Sequence, residues 1–388
     1  MIESTKPIYL DYHATTPMDP AVTEAMCPWW EEGFGNPHSG DHWFGWQAHQ
    51  AIEVAREDVA DLIGADAGEI VFTSGATEAN NLAILGAARG ASGERNQILV
   101  SAIEHKCVLE AAAALLHDGW KVDTIPVDNG GLIRLDALET LLGDNSAIVS
   151  VMAVNNEIGT IQPIDEIGQM CHDTGALFHC DAAQAPAAIS IDIFESNIAL
   201  LSLSSHKIYG PKGVGALYAR HDVLSKLQPI SYGGGQEQGI RSGTLPTPLC
   251  VGFGRASKLM QERRSTDGTR ISQLRARLWG GIEREVPSAI QNGSLNHRHP
   301  GNLNVCFRGY DAGAILGKLQ PALAASTGSA CTTGIPEPSH VLRAIGLSLE
   351  DAESSIRFGL GRFTTVDEID RATLLLADAL HQTHRAIA

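Results

Sequence analysis

The segment Ser202-Leu203-Ser204-Ser205-His206-Lys207-Ile208-Tyr209-Gly210-Pro211-Lys212-Gly213 places a lysine directly after an apolar run. An arbitrary lysine is a solvated surface charge. At the buried end of a strand its ammonium is partly desolvated, which favours the neutral, nucleophilic amine and a Schiff base with an aldehyde cofactor. Lys212, in the following turn, is expected to stay solvated. Earlier in the chain, Phe178-His179-Cys180-Asp181-Ala182-Ala183-Gln184 ends an apolar strand on a carboxylate. Alone, such an aspartate is a helix cap; beside Lys207 it can hold a pyridinium nitrogen protonated, which makes the ring an electron sink. Thr73-Ser74-Gly75-Ala76-Thr77-Glu78-Ala79-Asn80-Asn81 reads as a strand, a tight turn and a helix start, with Ser74 or Thr77 as the cap. Its free amides and helix dipole make a seat for phosphate. His105, in Ile103-Glu104-His105-Lys106, follows a further apolar run, where an imidazole can stack on a ring and move protons. His38 and His42 stand four apart, but their HSGDH context reads as a loop, and no metal is assigned.

The chain has seven cysteines with no C-x-x-C pair, so neither a disulfide framework nor a zinc knuckle is indicated. Cys27, Cys171, Cys180, Cys250 and Cys306 sit among apolar neighbours and are expected to be small buried residues. Cys331 differs. Its surroundings, Thr327-Gly328-Ser329-Ala330-Cys331-Thr332-Thr333-Gly334-Ile335-Pro336-Glu337-Pro338, are too rich in Gly, Pro, Ser and Thr for a helix or central strand. A mobile loop is expected, from which a thiolate can attack a bound substrate.

These residues must be positioned by something, and the apolar runs supply it. From about residue 20 to 260, helix-like stretches alternate with IVFTSG, QILVSA, AIVSVMAVN, ALFHCDA, IALLSLSS and GVGALYA. That alternation predicts a mostly parallel sheet covered by helices, with ligands at the strand ends. After Gly252 a charged helical stretch, roughly Ala256 to Glu285, leads to the strand-like LNVCF, Gly-rich and Pro-rich loops and a final amphipathic helix. A second, smaller domain is placed there, joined by the N-terminus; YGGGQEQG reads as a functional loop. The 388 residues, 44% hydrophobic, are enough for two domains. A net charge of −17 disfavours nucleic acid and anionic membranes as partners. No apolar run reaches the roughly 20 residues needed to span a bilayer, and the first residues carry no signal-peptide pattern, so a cytoplasmic protein is expected.

Taken together, the motifs closely resemble the cysteine desulfurase family, in the class V aminotransferase group of fold-type I pyridoxal-phosphate enzymes. The resemblance runs nearly end to end: Tyr9-Leu10-Asp11-Tyr12 with Ala14-Thr15-Thr16-Pro17, Phe34-Gly35-Asn36-Pro37, the TSGATEANN turn, Glu104-His105-Lys106, Val154-Asn155-Asn156-Glu157-Ile158-Gly159, Asp181 with Gln184, the Lys207 segment, Arg241-Ser242-Gly243-Thr244-Leu245-Pro246, Gly328-Ser329-Ala330-Cys331 and Ser355-Ile356-Arg357-Phe358. It implies an α/β fold with a mostly parallel seven-stranded sheet between helices and a smaller α+β domain, divided as 17–258 against 1–16 with 259–388. It also implies pyridoxal 5'-phosphate as cofactor. Lys207 would join it covalently and move the substrate Cα proton; Asp181 would pair with its ring nitrogen; Gln184 and Asn155 would approach its phenolic oxygen; His105 would stack on the ring and transfer protons. Gly75, Ala76, Thr77, Ser204 and His206 would hold the phosphate, and Thr244 would reach the phosphate of the other subunit in a homodimer. Arg357, with Asn155, would grip the carboxylate of L-cysteine. Cys331 would take the sulfur, leaving L-alanine, and pass it from a persulfide to an acceptor in iron-sulfur cluster assembly or thiolation.

Ser205, Gln238 and Ala153 depart from common family residues without removing a catalytic group. The chain stops soon after its final helix, so the longer tail that housekeeping members use on the iron-sulfur scaffold is not expected. An aminotransferase or selenocysteine lyase would use the same Lys207 and Asp181; Cys331 and Arg357 discriminate. A non-catalytic cluster-assembly platform is disfavoured, because the cysteines lack ligand spacing.

Overall fold

The computed structural model of the chain describes residues 6–91, 95–328 and 338–387. In chain order its strands are β1 (Ile8–Tyr9), β2 (Ile70–Thr73), β3 (Gln97–Ser101), β4 (Lys121–Ile125), β5 (Ser146–Ser150), β6 (Leu177–Asp181), β7 (Leu200–Ser204), β8 (Gly215–Ala219), β9 (Ile290–Asn292), β10 (Asn302–Cys306), β11 (Leu323–Ala324) and β12 (Ser355–Gly359). The helices that bear on the site are α1 (Pro20–Glu31), α2 (Trp43–Asp61), α3 (Ala76–Asn81), α4 (Lys106–Ala114), α5 (Thr247–Glu285) and α6 (Val366–Ile387).

Seven strands form the main sheet in the order β2-β8-β7-β6-β5-β3-β4. Only β8 runs against its neighbours; β7, β6, β5, β3 and β4 pair in parallel. Strands β2, β3, β5, β7 and β8 are buried along their whole length, as apolar runs covered by helices on both faces should be. Because β8 is antiparallel to both β2 and β7, the carboxyl ends of β2, β7, β6, β5 and β3 share one edge. Turns that carry chemistry leave from that edge, where the strand order jumps from β2 across to β3.

The sequence places the long helix from Ala256; α5 begins nine residues earlier, at Thr247, with proline in its first turn. Gly252 and Gly254 suggest a helix break, but both are packing residues. A Cβ at Gly252 would lie 2.5 Å from Met26 Sδ of α1, and one at Gly254 would lie 2.7 Å from Ala55 Cα of α2. Glycine thus lets three helices approach closely. At 39 residues, α5 is roughly 58 Å long, and its second half packs on a different core.

That core gathers Ile8 and Leu10 with Leu274, Leu278, Ile282, Leu303, Val305, Ile315, Leu323, Phe358, Ile369 and Leu376. Around it lie the antiparallel β12-β10-β9 sheet and the β1-β11 pair, so the N-terminal strand packs with the C-terminal third. On these contacts we propose the division into 17–258 and 1–16 with 259–388, with α5 passing through both units. Among the described residues no helix is long and apolar enough to cross a membrane.

Candidate active site

Strand β7 ends at Ser204, and the short helical turn Ser205–Lys207 then carries Lys207 out of the sheet. Lys207 Nζ donates to the carbonyl of His13 and, at 2.9 Å, to that of Ala14. Residues 13–16 are bound to this turn from the other side as well. Thr16 N and Oγ1 each donate to His206 O at 3.0 Å, and His206 Nδ1 lies 3.0 Å from Thr15 Oγ1. Burial, followed by the nearby Lys207 charge, lowers His206 to about 4, so its imidazole is neutral.

On the adjacent strand Asp181 is buried; its Oδ2 accepts from Asn80 Nδ2 at 2.7 Å and its Oδ1 from Ala183 N at 2.9 Å. Amide donors on both oxygens fix the plane of the carboxylate. Gln184, just beyond, is clasped by one residue: its Oε1 accepts from His13 Nδ1 at 3.2 Å and its Nε2 donates to His13 O at 2.9 Å. A second Nε2 hydrogen remains for a ligand.

After β3, His105 caps α4, its Nδ1 accepting from Cys107 N at 3.3 Å. Burial lowers its basicity, while the charges of Asp181 and Lys207 act on it in opposite directions. His105 is thus near enough to both groups that the sequence pairs to feel their charges. Its neighbour Glu104 is fully buried, with Oε1 accepting from Met152 N at 2.6 Å and Oε2 without a partner. Burial, reinforced by the Asp181 charge, raises the Glu104 carboxyl well above its ordinary value.

The turn after β2 corrects one expectation. Neither Ser74 nor Thr77 caps α3; the N-cap is Gly75, with no side-chain cap, and Ser74 N instead donates to Glu78 Oε2 at 2.5 Å. Gly75 has φ +151°, where a side chain is strained, and a Cβ there would meet nothing within 4 Å. Open space above an uncapped helix start is where a phosphate fits.

Asn155 is more committed than expected. Its Oδ1 accepts from Glu157 N and Ile158 N at 2.8 and 3.0 Å, while Nδ2 donates to Ile103 O at 2.9 Å and contacts Met152 Sδ at 3.3 Å. The weak sulfur contact is the one a ligand could replace. Across from the main sheet, Arg357 of β12 is buried; Nη1 donates to Asn156 O at 3.0 Å, and Nη2 to Asp11 Oδ1 and Ser326 Oγ at 2.7 and 2.9 Å. Its Nε has no partner among the described residues. Thr244 is exposed and makes no hydrogen bond to these groups among the described residues. Cys331 and most of its loop lie outside the described residues.

Of the remaining cysteines, Cys171, Cys180, Cys250 and Cys306 are buried as expected, but Cys27 is exposed. It falls on the solvent side of α1, whose buried face is set by Val22 and Met26. Asn80, His13 and Cys107, which bind Asp181, Gln184 and His105, carry no expected role from sequence. Asn80 lies inside the TSGATEANN turn, so a signal was present there, whereas His13 falls between the Tyr9–Tyr12 and Ala14–Pro17 motifs. For Cys107 the signal was its place two residues after a histidine that opens a helix.

A mostly parallel sheet with lysine, carboxylate, imidazole and an uncapped helix start along one edge is the architecture of fold-type I pyridoxal-phosphate enzymes. The aminotransferase class-V family model matches residues 8–372. The chain belongs to that family and, within it, to the cysteine desulfurases, whose cofactor is pyridoxal phosphate. It is 49% identical over 376 residues, 97% of this chain and 92% of the relative, to the cysteine desulfurase IscS of Rickettsia bellii. Among solved structures, a NifS-like protein superposes with a TM-score of 0.90 at 34% identity, covering 97% of this chain and 99% of that one. SspA in complex with cysteine gives 0.82 at 40% identity, covering 92% and 100%.

Proposed function

We propose that the chain takes sulfur from L-cysteine onto Cys331, leaving L-alanine and an enzyme persulfide that is passed to an acceptor. The reaction balances: the thiol of Cys331 and cysteine together become persulfide and alanine. Bound pyridoxal phosphate would supply the electron sink that lets the Cα–H and C–S bonds break. The uncapped turn Gly75-Ala76-Thr77, with Ser204 and His206, would seat its phosphate. Asp181, held by Asn80, would face its ring nitrogen, and Gln184 would donate to its phenolic oxygen with the free Nε2 hydrogen.

Lys207 and His105 are the groups placed to move protons. Lys207 would take the Cα proton, and His105, its basicity lowered by burial, feels the charges of both Asp181 and Lys207. The observation that carries the substrate assignment is Arg357, a buried guanidinium whose Nε has no partner among the described residues. A carboxylate reaching that edge would complete its donors in a charge-assisted bond. Cysteine as the bound species is also what SspA holds.

The same reading makes the protein a homodimer, with Thr244 reaching the partner's phosphate seat. Thr244 is exposed and makes no side-chain hydrogen bond among the described residues, and Trp30, Phe34 and Trp43 lie 61, 72 and 57% exposed. Aromatic surface of that extent is usual at interfaces. A cytoplasmic acceptor in iron-sulfur assembly or thiolation is proposed, with labelled sulfur from cysteine as the tracer.

The decisive test is Cys331→Ala beside Cys331→Ser. Both should lose alanine and sulfide formation from cysteine while the cofactor's visible absorbance stays; sulfide release at the wild-type rate refutes the assignment.

A further inference from the structure

The side chain of Cys107 lies among three of the groups that build the site. Its Sγ is 3.0 Å from His105 Nδ1 and 3.3 Å from Asn80 Nδ2, and the Thr77 hydroxyl also reaches it. Asn80 is fully buried, and the same Nδ2 holds Asp181 Oδ2. The directions of these bonds follow from what each atom carries. An Asn Nδ2 has two hydrogens and no lone pair to offer, so it donates to Asp181 with one and to the sulfur with the other. Reversing the amide would set Oδ1 against a carboxylate oxygen. With Asn80 donating into the sulfur, the S–H hydrogen is left for an acceptor, and the nearest is His105 Nδ1.

That nitrogen already accepts from the backbone N–H of Cys107 at 3.3 Å. A proton on Nδ1 would point into two donors. We infer that Cys107 is a positioning residue for His105: its thiol, held by Asn80, donates to Nδ1 and fixes the neutral imidazole with its hydrogen on Nε2. The thiol is kept in the donor form by its surroundings, since burial, with the Asp181 charge second, pushes Cys107 up to about 12. It follows that the ring-nitrogen end of the site, through Asp181 and Asn80, is joined by an unbroken chain of hydrogen bonds to the imidazole.

The inference rests on the role proposed for His105, and the test separates the two. Nitrogen-15 spectra of the histidine side chains are recorded on the full chain with and without cofactor, for the wild type, Cys107→Ala and Cys107→Ser. A donor to Nδ1 stabilises the unprotonated ring, so removing it raises the His105 midpoint. The wild type should show bare Nδ1 and protonated Nε2. Cys107→Ala should raise the midpoint by about half a unit or more and admit the Nδ1–H tautomer. Cys107→Ser, whose hydroxyl still donates, should stay near the wild type. A proton on Nδ1 in the wild type, or equal midpoints in all three proteins, overturns the inference. So does an equal rise in both variants, which would mark a packing effect. In turnover, the acid limb of kcat/KM should rise with the midpoint in Cys107→Ala; a displaced midpoint with a fixed acid limb removes His105 from proton transfer and leaves the contact standing.

Discussion

Arg357 Nη2 and Asp11 Oδ1, 346 positions apart in the chain, stand 2.7 Å from each other. The pair ties the first strand segment to β12 and fixes the guanidinium plane, leaving Nε without a partner among the described residues. Arg357→Lys keeps the charge but loses the planar fork. The expected result is a KM for cysteine about tenfold to a hundredfold higher, the size of one or two charge-assisted hydrogen bonds, with cofactor absorbance unchanged. Steady-state kinetics decides it, and an unaltered KM would show that the substrate carboxylate lies elsewhere.

His179 is fully buried in β6, with Nδ1 2.8 Å from Ser150 Oγ and Nε2 3.2 Å from Ser202 Oγ. Burial lowers it to about 4 from the ordinary 6.5. A base depressed in this way contributes its stability above the unfolded value and loses it as pH falls from 6.5 towards 4. The loss over that window is about 3 kcal/mol at most. Urea unfolding from pH 7.5 to 4.5 should therefore show a smaller acid loss in His179→Gln than in the wild type, even though the variant starts lower. Parallel curves would mean that the ring is charged in the native state.

The fold was legible where burial and pattern agree. β2, β3, β5, β7 and β8 are buried end to end and announce themselves as apolar runs. β4 does not: at the sheet edge, KVDTI is buried only at Ile125, and no apolar run marks it. Gly252 and Gly254 hid the first turns of α5 because a glycine needed for close helix contact looks like one that ends a helix. In the site, Lys207, Asp181 and His105 could be read from their places at strand ends. Their fixings, Asn80 to Asp181 and Cys107 to His105, depend on side-chain directions across different elements, which no spacing encodes.

The Gly-rich segment is held by a buried ion pair. Arg56 donates to both Glu237 oxygens at 2.8 Å, Phe72 N donates to Glu237 Oε2 at 2.6 Å, and Glu237 and Gln238 have φ of +47° and +58°. Left-handed backbone at two side-chain-bearing residues is strained and needs such an anchor. Glu237→Ala leaves the buried guanidinium with only the more exposed Glu53, 3.2 Å from its Nε, as counter-charge, and should cost about 3 kcal/mol. Arg56→Leu combined with Glu237→Leu removes both charges and should recover part of that. A double variant no more stable than Glu237→Ala alone would show that the loss comes from the Phe72 amide rather than from the stranded charge.

β8 passes so close behind the Gly75 turn that only glycine fits at its start. A Cβ at Gly215 would lie 2.7 Å from Gly75 Cα and 2.5 Å from Leu203 O. Both are backbone atoms, so Gly215→Ala must displace the turn or the strand. The amides proposed to seat the phosphate then lose their aim, and cofactor affinity should fall about tenfold or more, the equivalent of about 1.4 kcal/mol. Gly68→Ala is the control, because a Cβ there meets nothing within 4 Å. Absorbance titration of cofactor-free protein reads the affinity, and thermal melting reads the fold. If Gly215→Ala melts earlier yet binds cofactor as tightly as the control, the close approach serves the sheet and the phosphate seat does not depend on it.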